Sequence, residues 1–226
     1  MAGTNPSKQI RRPNPKQPSI RLIDRGVKLL PWLLSLAGIL LVLFNTRLGA
    51  YWGDDTYYYI YPARAFMTGE GFHPSYIFGP VLPLLLCILS IFKADPLLSI
   101  RWLNAILFGM NLFILPYILR RLTGSLPFAL AGTALVLFSD VVVEMHGWAM
   151  SEALAITYLL GGIAAALVFI DTQRLRYGIL AALTAALAVL TRFAMLPLIP
   201  AICVTLLVYQ PNRSALLRLR DAILFG

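Results

Sequence analysis

Charge is scarce in this chain of 226 residues: Lys, Arg, Asp and Glu make up 13%, against 59% hydrophobic residues. Soluble domains usually carry about 25% charged residues, so the deficit points to an integral membrane protein. Cysteine is equally thin. Cys87 and Cys203 lie inside apolar runs without metal-ligand spacing, and read as packing residues that say little about redox compartment. There is no Gly-rich phosphate loop, no Rossmann pattern, no internal repeat and no Gly/Ser linker marking a second domain. A net charge of +9 would suggest nucleic acid in a soluble chain. Here the basic residues fall in short tracts between apolar spans, with no aromatic-basic surface or nucleic-acid motif, so nucleic acid is excluded as a partner.

What is present is a series of apolar runs, and they predict an all-α fold, a polytopic transmembrane helix bundle. Residues 1–26, rich in Pro, Lys, Arg and Ser and lacking apolar periodicity, read as a disordered basic tail. The run 27–44 is longer than a signal-peptide core and lacks a small-residue cleavage site, so it reads as a retained first helix. The transmembrane domain then covers 27–210 in about six spans, drawn at 27–44, 97–119, 126–143, 153–170, 177–190 and 193–209. Residues 211–226 form a basic loop, and "RDAILFG" looks like the opening of a further helix, as in the front part of a longer protein.

One apolar segment, 79–92, decides the topology. With Pro80 and Pro83 in so short a run, it reads as a re-entrant or juxtamembrane helix rather than a crossing. Lys and Arg favour the cytoplasmic side of short loops. If the segment does not cross and the N-terminus is cytoplasmic, most of the 19 basic residues lie inside. A crossing would move Arg120, Arg121, Arg174, Arg176, Arg213, Arg218 and Arg220 outside. The non-crossing arrangement also puts Asp54, Asp55, Glu70, Asp95, Asp140, Glu144 and Glu152 on the outer face. Its first outer loop, 45–96, carries the aspartate pair, an amphipathic helix over 56–67 and the re-entrant segment; the second is "VVVEMHGWAMSE". Asn212-Arg213-Ser214 fits a glycosylation triplet but falls on the cytoplasmic side and is set aside.

Several polar residues admit two readings. Asp54 and Asp55 either hold a loop in water, or supply a general base or metal ligand, since carboxylate oxygens accept a proton or a cation. Tyr57, Tyr58, Tyr59 and Tyr61 suit the headgroup layer and equally suit stacking on sugar faces. Glu152 either caps an apolar helix, where the helix dipole favours a carboxylate, or serves chemistry. Arg192, between two short apolar segments, either snorkels or binds a phosphate headgroup through bidentate hydrogen bonds. Glu144 and His146 read as solvated loop groups, because "EMH" is no zinc motif. Arg101, Asn104 and Asn111 share a helical face and read as satisfied polar groups inside the bundle.

Together, "WGDDTYYYIYPARAFMTGEGF", "FGPVLPLLLCILSIFKADPLLSIRWLNAIL", "MSEALAI" and "AVLTRFAMLPLIPA" resemble the N-terminal half of the C-type (GT-C) glycosyltransferases that depend on polyprenyl-phosphate sugars. Protein O-mannosyltransferases and the bacterial transferase that adds aminoarabinose to lipid A belong to this group. The resemblance covers roughly residues 27 to 210, and the acid-rich first outer loop is its most specific part. It implies Asp54 as the catalytic carboxylate, Asp55 as its neighbour and substitute, and Glu152 as a second acid supporting the site or the acceptor. Arg192 falls where a basic residue near the lipid phosphate is expected, with Tyr57, Tyr58 and His73 as further substrate-binding candidates. One departure is that relatives place Lys or His directly before the proline of the re-entrant segment, where this chain has Gly79; His73 is the nearest basic group.

The implied activity is transfer of a sugar, with inversion, from a polyprenyl-phosphate donor to a hydroxyl of a protein, lipid or glycan acceptor at the outer membrane face. The setting is a bacterial plasma membrane, or the endoplasmic reticulum membrane in a eukaryote. A divalent metal at Asp54 and Asp55 is used by some relatives and not by others, so no cofactor is assigned. The rival readings are a transporter or flippase, since intramembrane Arg and Asn also mark permeation paths, and a non-catalytic membrane scaffold. A transporter predicts polar residues near the midplane and inverted repeats, whereas the acids here cluster toward one surface.

Overall fold

The computed structural model describes residues 18–208 and 214–225. The chain divides into two units, Met1–Leu30 and Pro31–Gly226. Within the first, helix α1 (Pro18–Asn45) begins; the packing below belongs to the second.

Helix starts and stops follow local chemistry. Helix α1 opens at Pro18, so 18–26, expected in the basic tail, are helical. Proline suits the first helical turn, where its missing N–H costs nothing, and "SIRLID" after it contains no breaker. The rest of the expected tail lies outside the described residues. At its far end α1 would leave carbonyls unpaired. Arg101 answers this by donating from Nη2 to the Leu43 carbonyl at 3.0 Å and from Nε to Thr46 Oγ1 at 3.2 Å.

Helix α2 (Thr56–Met67) matches its expected bounds and buries Thr56, Tyr59, Ile60 and Ala63, leaving Tyr57, Tyr58 and Tyr61 outside. Helix α3 (Val81–Ser90) has 10 residues. At about 1.5 Å per residue this is too short for a hydrocarbon core of about 30 Å. Helix α4 (Pro96–Thr123) starts at a side-chain cap, Asp95 accepting from Leu97 N at 2.8 Å, and ends at Gly124 in the left-handed region, φ +68°. Arg64 pairs with Asp95 at 3.1 Å, fastening α2 to the start of α4.

The expected span 126–143 is two helices, α5 (Leu126–Leu137) and α6 (Asp140–Gly147), bent by 56°. Ser139 sits extended at the break while its carbonyl accepts from Val142 and Val143, and Asp140 occupies the first turn, where the helix dipole favours an acid. Helices α7 (Glu152–Thr172) and α8 (Leu175–Thr191) form a hairpin through Gln173, whose φ is +56°. Buried Ala165, Ala166, Ala181, Ala185 and Ala188, with Gly162 against Thr184, let their backbones approach closely. After a 3-10 turn (Phe193–Met195) come α9 (Leu198–Val208), with Pro200 in its first turn, and α10 (Ala215–Phe225). Tyr209 of the last expected span, and Asn212 and Arg213 of the glycosylation triplet, lie outside the described residues.

Among the described residues the fold is all-helical, with no strand beyond one isolated parallel bridge, Tyr51 to Trp148. Asn104 reaches the Trp148 carbonyl at 2.8 Å and Arg121 meets Asp171 through contacts of 2.6 and 3.1 Å. Helices α4 and α7 therefore run in the same direction, and the chain returns between them through α5 and α6. Two helices, Pro96–Thr123 and Glu152–Thr172, are long and apolar enough to cross a membrane, or up to three if the bent pair is one span. Leu29–Asn45, Val81–Ser90, Leu175–Thr191 and Phe193–Val208 are shorter apolar helices. Large apolar side chains also face outward: Trp32, Leu36 and Leu40 on α1 and Trp102, Ile106 and Met110 on α4 are all exposed. In water such surfaces would be an aggregation liability; against lipid they are the expected solution.

Candidate functional site

The aspartate pair lies in the turn that opens α2. Gly53 N donates to Thr56 Oγ1 at 2.9 Å, and a Cβ at Gly53 would sit 3.3 Å from the Trp148 ring. Glycine thus lets the first loop pass close to the second. The two loops are joined by backbone, Tyr51 N donating to the Gly147 carbonyl at 2.8 Å and Ala149 N to the Tyr51 carbonyl at 2.9 Å. Asp54 is exposed and Asp55 half-buried, and Asp55 makes no side-chain cap to α2. Among the described residues neither carboxylate has a hydrogen-bond or ion-pair partner.

What they face is a cavity of about 700 Å³, lined by Trp52, Gly53, Asp54, Asp55, Val141, Glu144, Met145, Trp148, Met150 and Glu152. Three residues selected from sequence, Asp54, Asp55 and Glu152, therefore share one cavity. A fourth joins through its partner: Arg192 Nη1 donates to Glu152 Oε1. The other oxygen, Glu152 Oε2, is buried without a hydrogen-bond partner. An unpaired carboxylate oxygen out of water is costly, so this contact is an incomplete tie.

The backbone explains where Arg192 sits. It ends α8 in an extended conformation, φ −148° and ψ 122°, with its N–H on the Ala188 carbonyl at 2.9 Å. Gly79 lies against this turn so closely that a Cβ would overlap the backbone oxygens of Leu190 and Thr191. A side chain larger than glycine would therefore clash at position 79, and Arg192 places a guanidinium one residue beyond that contact.

Tyr59, grouped by sequence with the tyrosines suited to the headgroup layer or to sugar faces, is instead turned into the core. It is 2% exposed and its hydroxyl lies 2.9 Å from Ser151 Oγ, which is fully buried. Burial pushes the Tyr59 phenol above its ordinary value, and Glu152 and Asp55 add to this, while the Ser151 hydrogen bond and Arg192 act the other way. The bond fastens α2 to the residue preceding Glu152. A contact across so much chain leaves no local pattern to find.

Other selected residues lie outside the cavity lining. Tyr57 and Tyr58 are exposed and form an aromatic ridge: Tyr57 stacks on Tyr61 with centroids 5.2 Å apart, and Tyr58 stacks on Phe78 at 4.8 Å. His73 is exposed with Nε2 2.8 Å from the Glu70 carbonyl oxygen. Glu144, read as a loop group, lines the cavity from α6. His146 is the clearest correction. It is 1% exposed, because α6 continues through it and turns its ring onto Phe108. Asn111 Nδ2 lies 3.2 Å from Nε2, and Nδ1 lies 2.7 Å from the Val142 carbonyl oxygen. That pattern fits a neutral ring protonated at Nδ1. Arg101, Asn104 and Asn111 find partners for their donors inside the helical packing, but the expected full satisfaction is not met, since Asn104 Oδ1 and Asn111 Oδ1 are buried without a hydrogen-bond partner among the described residues.

Among the described residues, no three His, Cys, Asp or Glu side chains gather closely enough to hold a metal ion. Asp54 and Asp55 alone are a sparse donor set, and no step below is routed through a metal. Fold and cavity together define an all-helical protein with two or three membrane-competent helices and an acid-lined cavity against which a single arginine is held. Comparison with family models, with curated proteins and with solved structures finds no match.

Proposed function

We propose that this protein is a polytopic membrane glycosyltransferase of the polyprenyl-phosphate-dependent kind, or the N-terminal part of one, with its site on the outer membrane face. The observation that carries this reading is the meeting of Asp54, Asp55 and the Glu152–Arg192 pair at one cavity, from segments far apart in sequence. The cavity is large enough for a sugar, and its tryptophans, Trp52 and Trp148, offer flat apolar faces of the kind that pack on pyranose rings.

In this reading the donor lies in the outer leaflet with its phosphate toward Arg192. Asp54 accepts the proton of the acceptor hydroxyl as the hydroxyl oxygen attacks the anomeric carbon. The bond from that carbon to the phosphate oxygen breaks, and its electron pair leaves on the polyprenyl phosphate. General-base assistance of this kind contributes about 10²- to 10⁴-fold, and a cation beside the departing phosphate contributes as its charge develops. Asp55 stands beside Asp54 as its substitute. The exposed ridge of Tyr57 and Tyr58 sits in the headgroup layer, where tyrosine is favoured.

The experiment is sugar transfer from a polyprenyl-phosphate donor by the reconstituted protein, compared with Asp54→Asn combined with Asp55→Asn. Loss of transfer with donor binding retained supports the assignment. Undiminished turnover in the double variant removes the proposed base, and vesicle flux of donor without any transfer would favour a flippase instead.

A further inference from the structure

Arg192 is held in place by backbone and satisfied only in part by its side-chain partner. Gly79 packs against Leu190 and Thr191, and the Arg192 N–H is taken by Ala188, so the guanidinium starts from a fixed point. Nη1 reaches Glu152 Oε1, while the remaining guanidinium donors have no protein acceptor among the described residues. Glu152 is equally half-used, with Oε2 buried and unpartnered at the wall of a cavity that already holds Asp54, Asp55 and Glu144. Both side chains are partly exposed, 33% and 26%, so the pair is not sealed in the core. Bidentate Arg–carboxylate contacts are the strong ones, and this contact uses one carboxylate oxygen only.

We infer that Glu152 is an internal stand-in for the phosphate: it occupies Arg192 when the donor is absent and is displaced when a phosphate oxygen takes the guanidinium. Two anions compete for one cation, and phosphate offers the bidentate geometry that the single Glu152 oxygen does not. Displacement frees both oxygens of Glu152 in the cavity it already lines with Asp54 and Asp55, so the full set of acids is unpaired only once the donor phosphate is seated. Donor binding and readiness of the acid cluster are thereby linked through one exchange of partner. The identity of the anion as a polyprenyl phosphate rests on the transferase reading, whereas the competition itself needs only a phosphate group.

The test is equilibrium binding of a sugar-free polyprenyl monophosphate, and separately of inorganic phosphate, to the whole protein in phosphatidylcholine nanodiscs. Glu152→Gln removes the competitor and is expected to tighten lipid-phosphate binding by about tenfold, within the range typical of coupled sites. Arg192→Gln is expected to abolish binding whether or not Glu152 is also changed. Glu152→Asp keeps the charge with a shorter reach, provides a second reading if the glutamine variant fails to fold, and is expected to tighten binding by a smaller factor. If inorganic phosphate reproduces the effect, the site takes the phosphate group itself; if only the lipid does, the chain contributes too. Binding unchanged or weakened in folded Glu152→Gln or Glu152→Asp overturns the inference, as does absence of phosphate binding in the wild type. Tightening without sugar transfer keeps the exchange and removes the transferase reading; transfer without tightening does the reverse.

Discussion

Replacing Tyr59 by Phe probes the join between the two loops without opening a hole in the core. The ring stays, so its packing against Phe78, 5.4 Å between centroids, is preserved. What is lost is one hydroxyl at 2.9 Å from Ser151 Oγ, with Tyr59 2% and Ser151 0% exposed. A hydrogen bond is worth about 0.5–1.5 kcal/mol net, and the Ser151 hydroxyl then stays buried without that partner, which raises the expected loss to about 1–3 kcal/mol. Ser151→Ala should cost a similar amount by stranding the phenol. The double variant strands nothing, so it should cost less than the sum, with a coupling of about 1 kcal/mol. The assay is reversible unfolding in mixed micelles, titrated with a denaturing detergent. Above about pH 10, the ordinary range of a tyrosine, the raised phenol adds a signature. The unfolded chain ionises first, so stability present below that pH is lost as pH rises toward the folded value. Tyr59→Phe should flatten this decline. Single losses that simply add, within about 0.3 kcal/mol, would refute the idea that this bond joins α2 to the head of α7.

Four further substitutions report on other parts of the account. Gly79→Ala forces a methyl into the backbone of Leu190 and Thr191, and overpacking of this kind costs about 1–3 kcal/mol; phosphate binding through Arg192 should weaken along with the unfolding midpoint. Arg101→Met leaves the Leu43 carbonyl and Thr46 without their donor and should lower stability by about 1–3 kcal/mol, measured by the same detergent titration. His146→Leu should destabilise by a similar amount because Asn111 loses its partner inside the helices, and Asn111→Leu in the same chain should restore part of it.

The parts of this structure visible in the sequence were those written in local chemistry. The amphipathic run behind the aspartate pair made the bounds of α2 legible, but not that Tyr59 belongs to its buried face. The long uncharged stretches of α4 and α7 announced themselves by composition. The break between α5 and α6 did not, because Val141, Val142 and Val143 continue the apolar run across it and only Ser139-Asp140 signals a new helix start. His146 was misread for the same reason: flanked by Glu144 and Trp148, it looks like loop, and its burial depends on Asn111 and Phe108 from another helix. The site shows the same division. Asp54, Asp55, Glu152 and Arg192 stand out as charges in apolar surroundings. Tyr59, Ser151 and Gly79 are ordinary residues whose importance exists only in three dimensions.

The central claim is that carboxylates from the two separate loops converge on one cavity. With Cys87 and Cys203 replaced by alanine, cysteines at positions 54 and 144 offer the most direct measurement, using a short bifunctional methanethiosulfonate reagent that does not cross the membrane. The cavity predicts an intramolecular crosslink formed from the outer side of intact cells. Crosslinking of neither thiol to the other while each reacts singly, or reaction of the two from opposite sides, would contradict it.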